Sequence, residues 1–198
     1  VEFTLDDIKK IVDKTNGCMV WGGSLGLSPA DDKLIQIERI LNLDPEAQLI
    51  ASVLSKKIAV GSKYVLIDIP YGKSAKVDKN QGLVLKKKFE ELGRLFDLKL
   101  KCVLTKGDEP IGNGVGPFLE IRDVISVLKK ENGPKDLEDK AVFLAGEIFE
   151  LCGKSKKGEG KKLAQEILKS GKAFDKFKQI IDAQNGKVPA IHDISSKL

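Results

Sequence analysis

The fold class is indicated by residues 65–77, which read VLIDIPYGKSAKV. From Tyr64 to Ile69 the chain is a continuous apolar run interrupted by one aspartate, which is typical of a strand that is covered on both faces. The run stops at Pro70, and a glycine, a serine, an alanine and two lysines follow within six residues. The sequence therefore predicts a buried strand that ends in a short, positively charged loop.

Long helical periods alternate with short apolar runs along the rest of the chain. Strands that alternate with long helices predict an α/β fold, with a central parallel or mixed sheet flanked by helices. The predicted helices cover residues 5–16, 45–59, 80–98, 117–130, 136–152 and 163–183, with a split near Gly171. The predicted strands cover residues 18–21, 33–41, 64–69 and 98–105, the second of them as an edge or extended segment.

Length and composition limit the class of protein. A chain of 198 residues suits one large domain or two small ones, and we expect one domain over 1–198 with a charged linker near 154–162. The net charge of +5 comes from 34 basic and 29 acidic side chains that are interspersed, which favours small anions over nucleic acid. Three scattered cysteines without metal-ligand spacing indicate a reducing cytoplasm, and no apolar stretch has the length of a membrane span.

Ligands of open α/β sheets bind beyond the carboxyl ends of the strands, and three predicted loops qualify. They are residues 22–32, 70–77 and 107–116. The last contains GNGVG at 112–116, whose spacing differs from the dinucleotide-binding G-x-G-x-x-G motif. A tight turn from strand to helix is the favoured interpretation of these glycines.

Several polar side chains are candidates for a site, and each also has an ordinary structural interpretation. Asp44 precedes Pro45, as a helix N-cap often does. Ser52 and Lys56 lie four residues apart on one helix face, where a serine is often incidental and a lysine is usually solvated. Lys76 follows the buried strand and could hold a phosphate or keep the loop in water. The residues alone leave both possibilities open.

Taken together, the motifs resemble the central domain of the thymidine phosphorylase superfamily. The resemblance runs in order along nearly the whole chain, through NGCMVWGGS at 16–24, LSPADD at 27–32, IASVLSKK at 50–57, PIG at 110–112, GPFLEIR at 116–122 and IIDAQNG at 180–186. Within the superfamily, WGG at 21–23, LDP at 43–45 and GKSAK at 72–76 are most similar to the archaeal AMP phosphorylases. Those enzymes convert AMP and phosphate into adenine and ribose 1,5-bisphosphate.

The resemblance implies roles for individual residues. Asp44 matches the proton donor of AMP phosphorylases, and Ser52 and Lys76 match residues that contact AMP. In thymidine phosphorylases the positions of Ser52 and Lys56 bind the base together with an arginine, for which Arg39 is the nearest candidate. Thymidine phosphorylases lack the lysine at position 76, which favours AMP. A thymidine or pyrimidine nucleoside phosphorylase is the alternative enzyme.

The resemblance also implies a longer, homo-oligomeric parent enzyme. The phosphate site of the family lies upstream of the matched region, in a K-[HT]-[ST]-x-G-G loop and a loop rich in serine, glycine and threonine, and neither occurs here. We therefore expect no phosphorolysis from these 198 residues alone, and a non-catalytic nucleotide-binding fragment is a third interpretation. The reaction needs no metal or organic cofactor, because phosphate is the co-substrate.

Overall fold

The computed structural model describes residues 3–20, 28–41 and 45–191. Within this part of the chain the elements are α1 (Leu5–Thr15), α2 (Pro29–Leu41), α3 (Glu46–Ala59), β1 (Tyr64–Tyr71), α4 (Lys79–Leu95), β2 (Lys99–Lys106), α5 (Pro117–Lys129), α6 (Lys135–Leu151), α7 (Gly160–Lys169) and α8 (Lys172–Ala183). The α/β fold class is confirmed.

The chain forms two compact units. The sheet unit contains the described residues from 20 to 108, with α2, α3, β1, α4 and β2. The helical unit contains α1 from Asp6 onward and the described residues from 109, with α5 to α8. The expectation that residues 1–198 act as one domain stays a prediction.

In the sheet unit, β1 and β2 pair in parallel over their whole length, from Tyr64 opposite Lys99 to Tyr71 opposite Lys106. Helix α4 connects them and begins with a capping box, in which Asp78 accepts hydrogen bonds from the N–H groups of Asn80 and Gln81. The predicted strands at 64–69 and 98–105 are confirmed within two residues. Parallel pairing places the loops that follow both strands at the same edge of the sheet.

The core of the sheet unit lies between the sheet and the helices α3 and α4. Two residues of α3 that are four positions apart, Ile50 and Leu54, are buried there beside Phe89 of α4. Residues at this spacing share one helix face, so α3 turns its apolar side to the sheet. The other buried members of this core are Ile69, Leu85 and Cys102.

Two of the predicted strands are wrong. Residues 33–41 belong to helix α2, which begins at Pro29 and has Asp31 and Asp32 in its first turn. A proline at the first position and acidic residues in the first turn both favour a helix start. Leu34, Ile37 and Leu41 are spaced three and four residues apart, as on one face of a helix, and all three are exposed. Residues 18–20 are irregular, and Trp21 lies outside the described residues, as do residues 22–27 of the predicted loop.

In the helical unit, α6 and α7 pack closely because both carry a glycine at their contact. A Cβ atom on Gly146 would lie 2.6 Å from the backbone nitrogen of Lys161, and one on Gly160 would lie 2.8 Å from Cγ of Glu150. The Glu150 carboxylate also accepts hydrogen bonds from the N–H groups of Gly158 and Gly160. Helix α7 therefore begins at Gly160, inside the segment predicted as a charged linker.

None of the helices in the described part of the chain has the length and hydrophobicity needed to span a bilayer.

Candidate functional site

The structure brings Ser52 and Lys56 together on a buried carboxylate from α2. Asp31 is 5% exposed. Its Oδ2 atom accepts hydrogen bonds from Ser52 Oγ at 2.9 Å and from Lys56 Nζ at 2.5 Å, and its Oδ1 atom accepts one from Gln48 Nε2 at 3.1 Å. Lys56 Nζ also donates to Ser52 Oγ at 3.1 Å. These four residues are called the Asp31 cluster below.

The electrostatics of the Asp31 cluster favour an ionised carboxylate. Burial by itself would raise the pKa of Asp31, because it penalises the charged form. The hydrogen bonds from Lys56 and Ser52, the positive charge of Lys56 and the hydrogen bond from Gln48 outweigh that penalty, and the pKa lies below its ordinary value of 3.8. At neutral pH the cluster is therefore an ion pair held in one geometry by three donors.

The loop that follows β1 is closed on itself and braced by a second carboxylate. The N–H of Gly72 donates to the carbonyl of Val77 at 3.1 Å, which closes the loop over residues 72–77. The N–H of Lys73 donates to Oδ1 of Asp108 at 2.8 Å, and Asp108 comes from the loop that follows β2. The N–H of Gly107 donates to the carbonyl of Tyr71 at 2.9 Å. The backbone of this lysine loop is thus fixed from both strands.

This bracing changes the interpretation of Gly72. A glycine in a loop beyond a strand can let a ligand approach the backbone closely. At Gly72 the space is instead occupied by Asp108, because a Cβ atom there would overlap Oδ1 of Asp108 and lie 2.8 Å from its Cγ. Lys76 lies in the same loop with an exposed side chain, and so does Lys73.

Some predicted site residues lie outside the described part of the chain. Asp44 is one of them, and α3 begins at Glu46 with Pro45 at its N-cap position. Arg39 belongs to α2, but its side chain lies outside the description. The structure therefore places Ser52, Lys56 and Lys76, and the role of Asp44 stays a prediction.

The glycine-rich loop at 112–116 is a turn held by carboxylates of the chain itself. Oδ2 of Asp123, a residue that is 5% exposed, accepts hydrogen bonds from the N–H groups of Asn113 at 2.7 Å and Gly114 at 2.8 Å. The N–H of Gly112 donates to Asp136, whose pKa is lowered by this bond and by the N–H of Leu137. The backbone amides of this loop already donate to side-chain carboxylates of the chain, which agrees with the interpretation of a tight turn.

The cysteines and the metal-ligand residues add no further site. Within residues 3–20, 28–41 and 45–191, no group of three histidine, cysteine, aspartate or glutamate side chains could hold a metal ion. Cys102 is fully buried in the core of the sheet unit, and its burial, with the nearby charge of Glu90, raises the pKa of its thiol to about 12. It is a core residue.

The sequence interpretation missed the two carboxylates that organise the candidate site. Asp31 lies 21 residues from Ser52, and Asp108 lies 35 residues from Lys73. Local patterns do not report contacts at such separations. The sequence placed Asp31 within the LSPADD motif at 27–32 and Asp108 within the predicted loop 107–116, without indicating what either contacts.

Comparisons with known proteins show which proteins the chain is similar to. No protein-family model matches it. The AMP phosphorylase of Methanococcus maripaludis strain C6 is 51% identical over 188 residues, which are 94% of this chain and 37% of that protein. The AMP phosphorylase of Pyrococcus horikoshii is 48% identical over 187 residues, with the same shares. A Legionella pneumophila protein named "Putative thymidine phosphorylase" is 48% identical over 188 residues, or 36% of its length.

The chain is therefore homologous to phosphorylases over almost its whole length. Within that class its relatives include several archaeal AMP phosphorylases, so the resemblance seen in the sequence motifs is confirmed. The chain spans a little over a third of the length of the curated relatives it matches.

The packing of Gly72 against Asp108 predicts a stability effect. Gly72→Ala should lower the free energy of unfolding by about 1–3 kcal/mol, because the new methyl group must displace the Asp108 carboxylate. Urea unfolding of the chain measures this. In the Gly72→Ala, Asp108→Ala double variant the clash with the carboxylate is gone, so its loss should be smaller than the sum of the two single losses. Additive losses would contradict the packing.

The lowered pKa of Asp31 predicts a stability difference that depends on pH. A depressed pKa in the folded state gives stability that is complete above the ordinary value of 3.8 and is lost as the pH falls through the folded value. Asp31→Asn should cost about 1–3 kcal/mol of unfolding free energy at pH 7 and clearly less at pH 3. Urea unfolding at both pH values is the measurement, with Asp32→Asn as the control. An equal cost at both pH values would contradict the ionised cluster.

Proposed function

We propose that this chain is the nucleotide-binding part of an AMP phosphorylase, which splits AMP with inorganic phosphate into adenine and ribose 1,5-bisphosphate. The observation that carries the proposal is the identity of about 50% to AMP phosphorylases over 94% of the chain. The braced lysine loop at the carboxyl edge of a parallel sheet supports it, since ligands of open α/β sheets bind at that edge.

In this proposal each candidate residue has one task. Phosphorolysis breaks the bond between the base and C1′ of the ribose, and phosphate takes the place of the base. The departing adenine needs a proton, which Asp44 donates as a carboxylic acid, and such transfers typically contribute about 10²–10⁴-fold to the rate. Ser52 and Lys56 hold the base, and Lys76 meets the 5′-phosphate with its ammonium group.

The rest of the reaction depends on parts of the protein beyond this chain. The loops that bind the phosphate co-substrate have no counterpart in these 198 residues, so the chain alone should not catalyse phosphorolysis. No metal ion or organic cofactor takes part in the proposed chemistry. We further propose a cytoplasmic, homo-oligomeric parent enzyme with no nucleic acid or membrane partner.

A pyrimidine nucleoside phosphorylase is the second candidate. The observation that favours it is the similarity, at 48% identity, to the Legionella pneumophila protein named "Putative thymidine phosphorylase". Ser52 and Lys56 suit both substrates, because their hydrogen-bonding groups match the edge of either base. Lys76 separates the two candidates, since thymidine has no phosphate for it to bind. A non-catalytic nucleotide-binding fragment is the third.

Replacement of Lys76 tests the preference for AMP. In a protein that carries this chain at the full length of its relatives, Lys76→Met should lower kcat/KM for AMP by roughly 10–150-fold, the loss of a charged hydrogen bond worth about 1.5–3 kcal/mol. Any activity on adenosine should change far less. Steady-state assays at fixed salt measure both, because salt screens an exposed charge pair.

The neighbouring lysine of the same loop is a matched control. Lys73→Met removes an equal charge from a residue whose backbone, rather than its side chain, is held by Asp108. It should leave the ratio of AMP to adenosine activity unchanged. Equal losses on AMP and adenosine in Lys76→Met would assign Lys76 to the loop or the base, and no loss on either would remove the case for AMP.

Replacement of Asp44 tests the proton donor. Asp44→Asn in the full-length protein should lower kcat by roughly 10²-fold or more with the fold intact, because the amide cannot donate the proton. Steady-state kinetics together with circular dichroism measure activity and folding. If Asp44 takes no part in proton transfer, kcat should stay near normal, which would contradict the proposal.

A further inference from the structure

We infer that Asp31 is a positioning residue that fixes the hydrogen-bond polarity of Ser52, so that Ser52 and Lys56 together present one acceptor and one donor to the edge of the base. The inference rests on the proposed function and deepens it, because it states which groups of the substrate these two side chains recognise.

The polarity of Ser52 follows from the chemistry of its partners. An ionised carboxylate only accepts hydrogen bonds, so the contact of 2.9 Å between Ser52 Oγ and Asp31 Oδ2 requires the hydroxyl proton to point at Asp31. An ammonium group only donates, so the contact of 3.1 Å between Lys56 Nζ and Ser52 Oγ occupies one lone pair of the hydroxyl. The direction of both bonds is therefore fixed by the types of side chain.

The valences that remain define what the pair offers a ligand. Ser52 donates its only hydroxyl proton to Asp31 and keeps one lone pair, so it can only accept a hydrogen bond from a ligand. Lys56 has used one proton on Asp31 and one on Ser52, so it keeps a third proton and is a donor. The Lys56 side chain is 34% exposed. The two groups lie 3.1 Å apart and suit two adjacent atoms of one ligand.

The edge of a nucleobase carries such a pair of adjacent atoms. In adenine the 6-amino group is a donor beside the ring nitrogen N1, which is an acceptor. The amino group would donate to Ser52, and N1 would accept from Lys56. A phosphate that is fully ionised has only acceptors, so it could use Lys56 but would meet a lone pair at Ser52. The Asp31 cluster therefore suits the base and leaves the 5′-phosphate to Lys76.

Asp31 is suited to this task because it is itself held in place. Its second oxygen accepts from Gln48 Nε2 at 3.1 Å, so the carboxylate is bound through both oxygens and is 5% exposed. Gln48, Ser52 and Lys56 follow one another at intervals of four residues along α3 and share one helix face. A rotation of the hydroxyl away from Asp31 would leave the buried carboxylate short of one donor.

The test compares AMP with purine riboside 5′-monophosphate, which lacks the 6-amino group. In the full-length protein, kcat/KM is measured for both substrates in the wild type and in Ser52→Ala. In each protein, kcat/KM for AMP is divided by kcat/KM for the analogue, and the wild-type ratio is then divided by the ratio in Ser52→Ala. This quotient isolates the contact between Ser52 and the amino group, because differences in leaving-group reactivity cancel. The quotient should be about 2–12, which is the factor in kcat/KM that one hydrogen bond contributes. A quotient of one would overturn the inference.

The role of Asp31 is tested with the same quotient. In Asp31→Ala the hydroxyl of Ser52 loses its acceptor and is free to reverse, so the preference for AMP over the analogue should fall to that of Ser52→Ala. A purely structural role would lower kcat/KM equally for both substrates and leave their ratio at the wild-type value, which would contradict positioning. Asp32→Ala, which removes the neighbouring carboxylate of the same helical turn, should keep the wild-type ratio.

A failure of the proposed function would give a different pattern. If the wild-type full-length protein phosphorolyses neither AMP nor the analogue and binds neither in isothermal titration calorimetry, the proposed function fails and the inference falls with it. Turnover of AMP with a quotient of one leaves the proposed function standing and rejects the polarity of Ser52 alone.

Discussion

The candidate site depends on the hydrogen bonds that the buried carboxylate of Asp31 accepts. This carboxylate lies in the first turn of α2 and receives hydrogen bonds from three side chains of α3. The same helix α3 uses its other side, through Ile50 and Leu54, to pack on the sheet. One helix therefore links the hydrophobic core to a polar cluster, and the position of Ser52 and Lys56 is set by both.

A second carboxylate supports the lysine loop in a similar way. Asp108 reaches from the segment after β2 to the N–H of Lys73 and fills the space beside Gly72. Both candidate ligand-binding segments are thus held by an acidic side chain from elsewhere in the chain. Such preorganisation lowers the cost of ordering side chains when a ligand binds.

The sequence predicted the elements whose pattern is local and missed the contacts that are not. Strands β1 and β2 were recognised from their short, mainly apolar runs, and α4 from its helical period. Helix α2 was predicted as a strand from its apolar residues Leu34, Ile35, Ile37 and Ile40. In the helix Leu34, Ile37 and Ile40 are exposed, so these residues form no buried apolar stripe of the kind that marks an amphipathic helix. Ser52 and Lys56 were predicted from the family resemblance, but their common partner Asp31 required the fold.

The glycine-rich loop at 112–116 has a consequence for what the helical unit can bind. Asp123 belongs to the same chain as the amides of Asn113 and Gly114, so it is present there at a very high effective concentration. A dissolved phosphate would have to displace this tethered carboxylate before it could bind the same amides. The loop thus carries its own ligand, which acts as an internal brace for the start of α5.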